Sequence, residues 1–174
     1  MPNTFTKIAS ITVGASPVAT IDFSSIPTTY TDLCLKMSLR TNRAGTFDYV
    51  TISFNGSAAN FTLITLQGDG AGGAAASYSR STFGVNFIGR SDGATATANT
   101  FANGEIYIPN YAGSQNKSSS TDIVQEDNTS TAYINLTAGL WSQTAAINQL
   151  TITNGTGNSY VQYSTATLYG IKNS

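Results

Sequence analysis

The 174 residues carry a net charge of −1, with 8 Lys and Arg against 9 Asp and Glu, while Ser, Thr, Asn and Gly together fill 77 positions. With 40% apolar residues and so little charge, the chain can bury the core of one ordinary domain and falls outside the disordered class. Histidine is absent and cysteine occurs once, which removes the usual general base, the commonest transition-metal ligand, an internal disulfide framework and a cysteine-built zinc site.

Strand signals recur at short intervals from the start. Residues 8–13 and 18–23 flank a Gly14-Ala15-Ser16-Pro17 turn. Leu33, Leu35, Met37 and Leu39 alternate with Cys34, Lys36, Ser38 and Arg40, which assigns the first set to a buried sheet face and the second to the opposite face. Val50, Ile52 and Phe54 repeat the pattern before Asn55-Gly56, a two-residue hairpin signal, so residues 61–66 are expected as the hairpin partner. Residues 68–76 and 91–96 read as small-residue loops lying outside the fold. Phe83, Val85 and Phe87 form a further alternating run, and Ile106 and Ile108 lead to Pro109, which ends pairing by removing a backbone donor. Residues 121–124, 132–136, 147–152 and 160–171 supply the later strands. The one helical candidate, residues 139–146, is short enough to be a connection.

Ten or eleven short strands without a helix predict an all-β fold. The expectation is one domain over residues 1–174, an antiparallel β-sandwich of jelly-roll type, since a sheet that buries one face needs a second layer against it. Its core should contain Leu33, Leu35, Leu39, Ile52, Phe54, Ile106, Ile108 and Leu168.

Candidate chemistry is thin. Asp69-Gly70 and Asp92-Gly93 are better read as turns than as calcium loops, because a hard cation takes about 6 to 8 oxygen ligands and each aspartate stands alone. Glu105 and Glu126 are the only glutamates, and the sequence does not pair either with a carboxylate set apart as glycosidase chemistry requires. Cys34 lacks an activating base and reads as a packed thiol. Asn-x-Ser/Thr triplets at Asn55, Asn60, Asn116, Asn128, Asn135 and Asn154 are what a chain this rich in those residues contains by chance. The nine tyrosines and Trp141 suit half-buried strand positions better than a sugar-stacking platform. No catalytic, cofactor-binding or metal-binding residue is therefore assigned, and no cofactor is expected. Scattered cations give no nucleic-acid footprint, and no apolar run reaches the roughly 18 residues of a membrane helix. Residues 1–7 do not read as a secretory signal, so synthesis and folding in a cytoplasm are expected.

The punctuation of the chain carries more. Residues 8–15, then residues 21–33 with Ile21-Asp22-Phe23-Ser24-Ser25-Ile26-Pro27 at their start, then Ile52-Ser53-Phe54-Asn55-Gly56, resemble virion structural proteins of tailed bacteriophages. Ile106-Tyr107-Ile108-Pro109-Asn110-Tyr111, Ala138-Gly139-Leu140-Trp141-Ser142 and residues 163–171 are similar to later signposts of the same family, in the same order. The resemblance implies a β-sandwich module of the virion exterior, assembled in the bacterial host cytoplasm. Its implied partners are the major capsid protein, for a decoration or cement protein, or tail proteins and host-surface glycan, for a tail-fibre component. A neutral surface with few charged residues to guard strand edges adds the expectation of a homo-oligomer, a trimer by preference. With no ligand set in the sequence, chelator treatment should leave the melting temperature unchanged. A fall of several degrees in a thermal scan would overturn the metal-free expectation.

Overall fold

The computed structural model describes residues 4–70, 76–79, 86–129 and 132–172. Among the described residues there are twelve strands and no helix: β1 (Phe5–Thr12), β2 (Thr20–Phe23), β3 (Asp32–Leu39), β4 (Phe47–Phe54), β5 (Phe61–Gly68), β6 (Ala76–Ser79), β7 (Phe87–Asp92), β8 (Ala102–Ile108), β9 (Lys117–Gln125), β10 (Tyr133–Trp141), β11 (Leu150–Asn154) and β12 (Thr165–Ile171). They pair antiparallel into one sheet ordered β1-β12-β3-β8-β9-β10-β5-β6 and a second ordered β2-β11-β4-β7. The all-β sandwich expected from the sequence is present. Eight strands make its jelly-roll body, with β1-β12-β3-β8 in one layer and β2-β11-β4-β7 in the other. The remaining four enter as two insertions, β5–β6 between β4 and β7 and β9–β10 between β8 and β11. These join at the β8 edge and extend the larger sheet into a wing.

Alternation builds the core. On the inward face of the larger sheet, Ala9, Leu168, Leu35 and Ile106 are successive cross-strand neighbours. On the smaller sheet the matching row is Ile21, Ile152 and Ile52, beside Phe23, Leu150 and Phe54. Every residue expected in the core is buried, Leu33, Leu35, Ile106, Ile108 and Leu168 completely. Ile123 of β9 fixes how closely neighbouring strands approach it. A Cβ at Gly89 on β7 or at Gly104 on β8 would come within 2.6 or 2.4 Å of its side chain, so only glycine leaves it room.

Three expectations are corrected. The Asn55-Gly56 turn forms, with φ of 51° and 73° and reciprocal backbone bonds of 3.1 and 2.9 Å between Phe54 and Ser57. The hairpin beyond it does not. A strand has two edges, and β4 gives one to β11 and the other to β7, so β5 crosses to the larger sheet and pairs with β10 and β6. Residues 91–96 are anchored to the fold: Ser91 and Asp92 end β7 fully buried and Ala96 is buried too, with only Ala94 and Thr95 exposed between them. Arg40 is the physical reason, since its guanidinium donates to the carbonyls of Ala94, Ala96, Thr97 and Thr100 at 2.8 to 3.3 Å. Carbonyls that a surface loop would turn to water are gathered around one cation. Finally, Gly139, Leu140 and Trp141 close β10, and residues 142–146 follow without a helical turn. Phe83, Val85 and residues 71–75 of the first small-residue segment lie outside the described residues, while Gly68 ends β5 and Ala76 begins β6.

Leu35 occupies the middle of the apolar row with no exposure. Leu35→Ala should lower stability by about 2 to 5 kcal/mol, read from denaturant unfolding, because a site locked between two sheets cannot collapse onto the missing atoms.

Candidate interaction surface

The larger sheet reverses its polarity at the boundary between body and wing. Its inward row runs Leu168, Leu35 and Ile106 across β12, β3 and β8, then continues as Thr121, Thr137 and Thr65 across β9, β10 and β5. The outward row does the opposite. Thr167, Lys36, Glu105 and Asp122 give way to Leu136 and Leu66. Ile64, Leu66, Ile134 and Leu136 are each at least half exposed, at 65, 50, 62 and 53%, and Leu140 adds 37%.

Parity explains the reversal. Successive side chains leave a strand on opposite faces, so one strand cannot turn both its odd and its even residues inward. In β10 the odd set contains Trp141, whose ring packs 5.6 Å from Phe54 and 6.3 Å from Phe61. Burying that indole sends Leu140, Leu136 and Ile134 outward. In β5 the buried pair Phe61 and Leu63 does the same to Ile64 and Leu66. A shift by one residue would bury the leucines and isoleucines, at the cost of exposing the largest aromatic groups.

Beyond Phe61, Leu63, Ile123 and Trp141, the inward side of the wing is polar and is tied largely by its own hydrogen bonds. Thr65 and Thr137 share a hydroxyl hydrogen bond of 2.9 Å. Gln67 Oε1 accepts from Arg90 and, at 3.2 Å, from Asn135 Nδ2. The Arg90 guanidinium, brought over by β7, lies 3.9 Å from the Tyr133 ring centroid and 5.0 Å from that of Phe47. Aromatic faces supply the negative potential that a buried guanidinium loses with water. Gln125 Nε2 donates to Asp92 Oδ1 at 2.7 Å, and burial holds the Asp92 carboxyl above its usual pKa. Lys117 gives its ammonium to the carbonyls of Gly113 and Thr144, and desolvation lowers its pKa. A void lined by Ile52, Phe87, Thr121 and Thr137 amounts to about 10 Å³, room for one water at most.

The residues weighed for chemistry are dispersed. Glu105 projects from the outward face of β8, ion-paired to Lys36 Nζ at 2.5 Å, with Asp122 opposite it across β9. This neighbouring carboxylate was invisible in the linear sequence, because 16 intervening residues form a strand reversal. Glu126 instead accepts from the backbone N–H of Asn128, and Asp69 precedes Gly70 at a turn of φ 67°. Among the described residues no group of three or more metal-capable side chains assembles. Asn135 and Asn154 are buried, so neither triplet presents an accessible amide. The aromatic residues go mostly to packing: Tyr111, Tyr160 and Trp141 are core, while Tyr163 is exposed.

Neither known protein families nor characterised proteins yield a match to this chain. Fold and surface therefore define it as a jelly-roll sandwich carrying a wing with an apolar outer face. Cys34 offers a direct check of how the neighbouring outward face is closed. It faces outward between Tyr107 and Tyr169 yet is buried, and its thiol is pushed from 9.0 up to about 11, first by burial and then by the charge of Glu105. A thiol reagent should leave it unlabelled in the folded protein near neutral pH and label it fully in denaturant. The thiol's contribution to stability should hold below about 9 and be lost as pH rises toward about 11, because the folded state keeps the proton longer.

Proposed function

We propose that this protein is a non-enzymatic structural component of a tailed-phage virion, an external capsid decoration or cement protein that binds the assembled shell. The observation that carries the reading is the apolar outer face of the wing, where five large side chains stand in water on an otherwise hydroxyl- and amide-rich surface. Exposed apolar area of that extent marks a part made to be joined to something. The ordered resemblance to virion proteins supports the same reading. So does the architecture, which serves viral capsid and lectin domains, although a jelly roll by itself fixes no function. Uncharged contacts also suit a particle that meets varied ionic strength, since salt screens them far less than ion pairs.

A second reading, a tail-fibre component recognising host-surface glycan, is favoured by one feature. An open groove of about 320 Å³ on the outward face, lined by Lys36, Asn103, Glu105 and Asp122, offers carboxylate acceptors and amide donors suited to sugar hydroxyls. Images of intact particles with this chain traced separate the two. Many copies over the shell, together with cosedimentation of the purified protein with bare shells, are expected for a decoration protein. A few copies confined to the tail, with no shell binding, would overturn it in favour of the glycan reading.

A further inference from the structure

We infer that the outer face of the wing is a self-association surface, on which a second copy of this chain packs face to face about a two-fold axis. This deepens the reading of the wing as an assembly surface and is independent of which virion part the protein forms.

Area is the first argument. The exposed portions of Ile64, Leu66, Ile134, Leu136 and Leu140 present about 500 Å² of apolar surface, at the upper end of what a typical monomer leaves bare. With their polar neighbours on β9 and β10 the face approaches the roughly 800 Å² per partner of a stable specific interface. Shape is the second. Beside Ile64 and Leu140 the outward positions are the small residues Ala138 and Thr62, leaving an open depression of about 270 Å³ next to the projecting Leu66 and Leu136. A projection and a hollow adjacent on one face are what a two-fold contact requires, because each copy then fills the other. Charge is the third: none of the five apolar side chains is ionic, and the nearest carboxylate in the row, Asp122 beside Leu136, lies on the body side of the patch and not within it.

The same geometry selects a dimer over the trimer expected from composition. A closed trimer joins two different patches on each copy. Among the described residues the other exposed large apolar side chains, Phe5, Val18 and Tyr163, lie outside the wing, and Phe5 already stacks on Tyr169. Sheet-on-sheet packing at about 10 Å would bury the wing from both sides, giving it the second layer that the body already has.

Analytical ultracentrifugation of the purified chain tests this. The expected mass is that of two copies, retained at about 1 M salt. The double variant L66D/L136D should sediment as a monomer, with affinity reduced at least about 100-fold and an unchanged circular dichroism spectrum and melting profile, since both positions are already exposed. Should that variant fold poorly, mixing Leu66→Cys with Ala138→Cys provides the second arm: mild oxidation should link the two variants to each other, since the projection of one copy seats in the hollow of the other, Cys34 being buried and unable to compete. A monomer at concentrations up to about 100 µM, a trimer, or a dimer that survives L66D/L136D would overturn the inference. A monomer that still coats purified shells would sink the dimer and leave the decoration reading standing. A dimer that ignores shells would do the reverse.

Discussion

Four strands lie over eight, and a layer that narrow can dry only the part of the larger sheet that it covers. Over the body, β2, β11 and β4 provide an apolar ceiling, and the residues beneath it on β12, β3 and β8 are leucine, isoleucine and alanine. Over the wing the cover is mainly β7 with Arg90 and its aromatic surround, a polar ceiling that suits threonine, asparagine and glutamine below. Burying a hydroxyl or amide costs least where it finds a partner, and the inner wing supplies one at Thr65, Thr137, Gln67 and Asn135 Nδ2, while Asn135 Oδ1, Gln125 Oε1 and Trp141 Nε1 are left without one. Apolar groups displaced from that layer had one place left to go, the outer face.

The scarcity of charge acquires a structural meaning in the same frame. Of the eight basic residues, Arg40 and Lys117 are taken up by carbonyl groups, Arg90 by Gln67 and aromatic rings, and Arg43 by the Phe47 carbonyl and ring. Lys36 is neutralised by Glu105. Four of the eight cations are thus internal ties for turns and loop ends, where one guanidinium satisfies several carbonyls, while Lys7, Lys36 and Lys172 stay exposed.

Much of the body could be read from residue order, because β3, β8 and β12 have one dominant phase of alternation and bury its apolar set. The wing could not. In residues 61–66 the apolar phase changes midway, from Phe61 and Leu63 to Ile64 and Leu66, and in β10 an even-numbered apolar set competes with odd-numbered Trp141. Alternation says that a strand has two unlike faces, but only the volume of the competing side chains and the identity of the covering layer say which one is inside. The misplaced hairpin after Asn55-Gly56 has a similar cause: a turn signal is local, whereas the availability of a strand edge depends on β11 and β7, encoded far along the chain. Residues 91–96 looked like a loop for the same reason, since their partner, Arg40, is about 50 positions away.

The position of β12 between β1 and β3 sets the order of events during synthesis. Phe5 pairs with Ile171 and Leu35 with Leu168, so strands made first wait for one made among the last. Contacts this distant in sequence are slow to form and leave the early strands with bare edges meanwhile. A ribosome that stalls before Thr165 releases a product in which β1 has no neighbour and β3 only one, a species open to capture by chaperones and proteases.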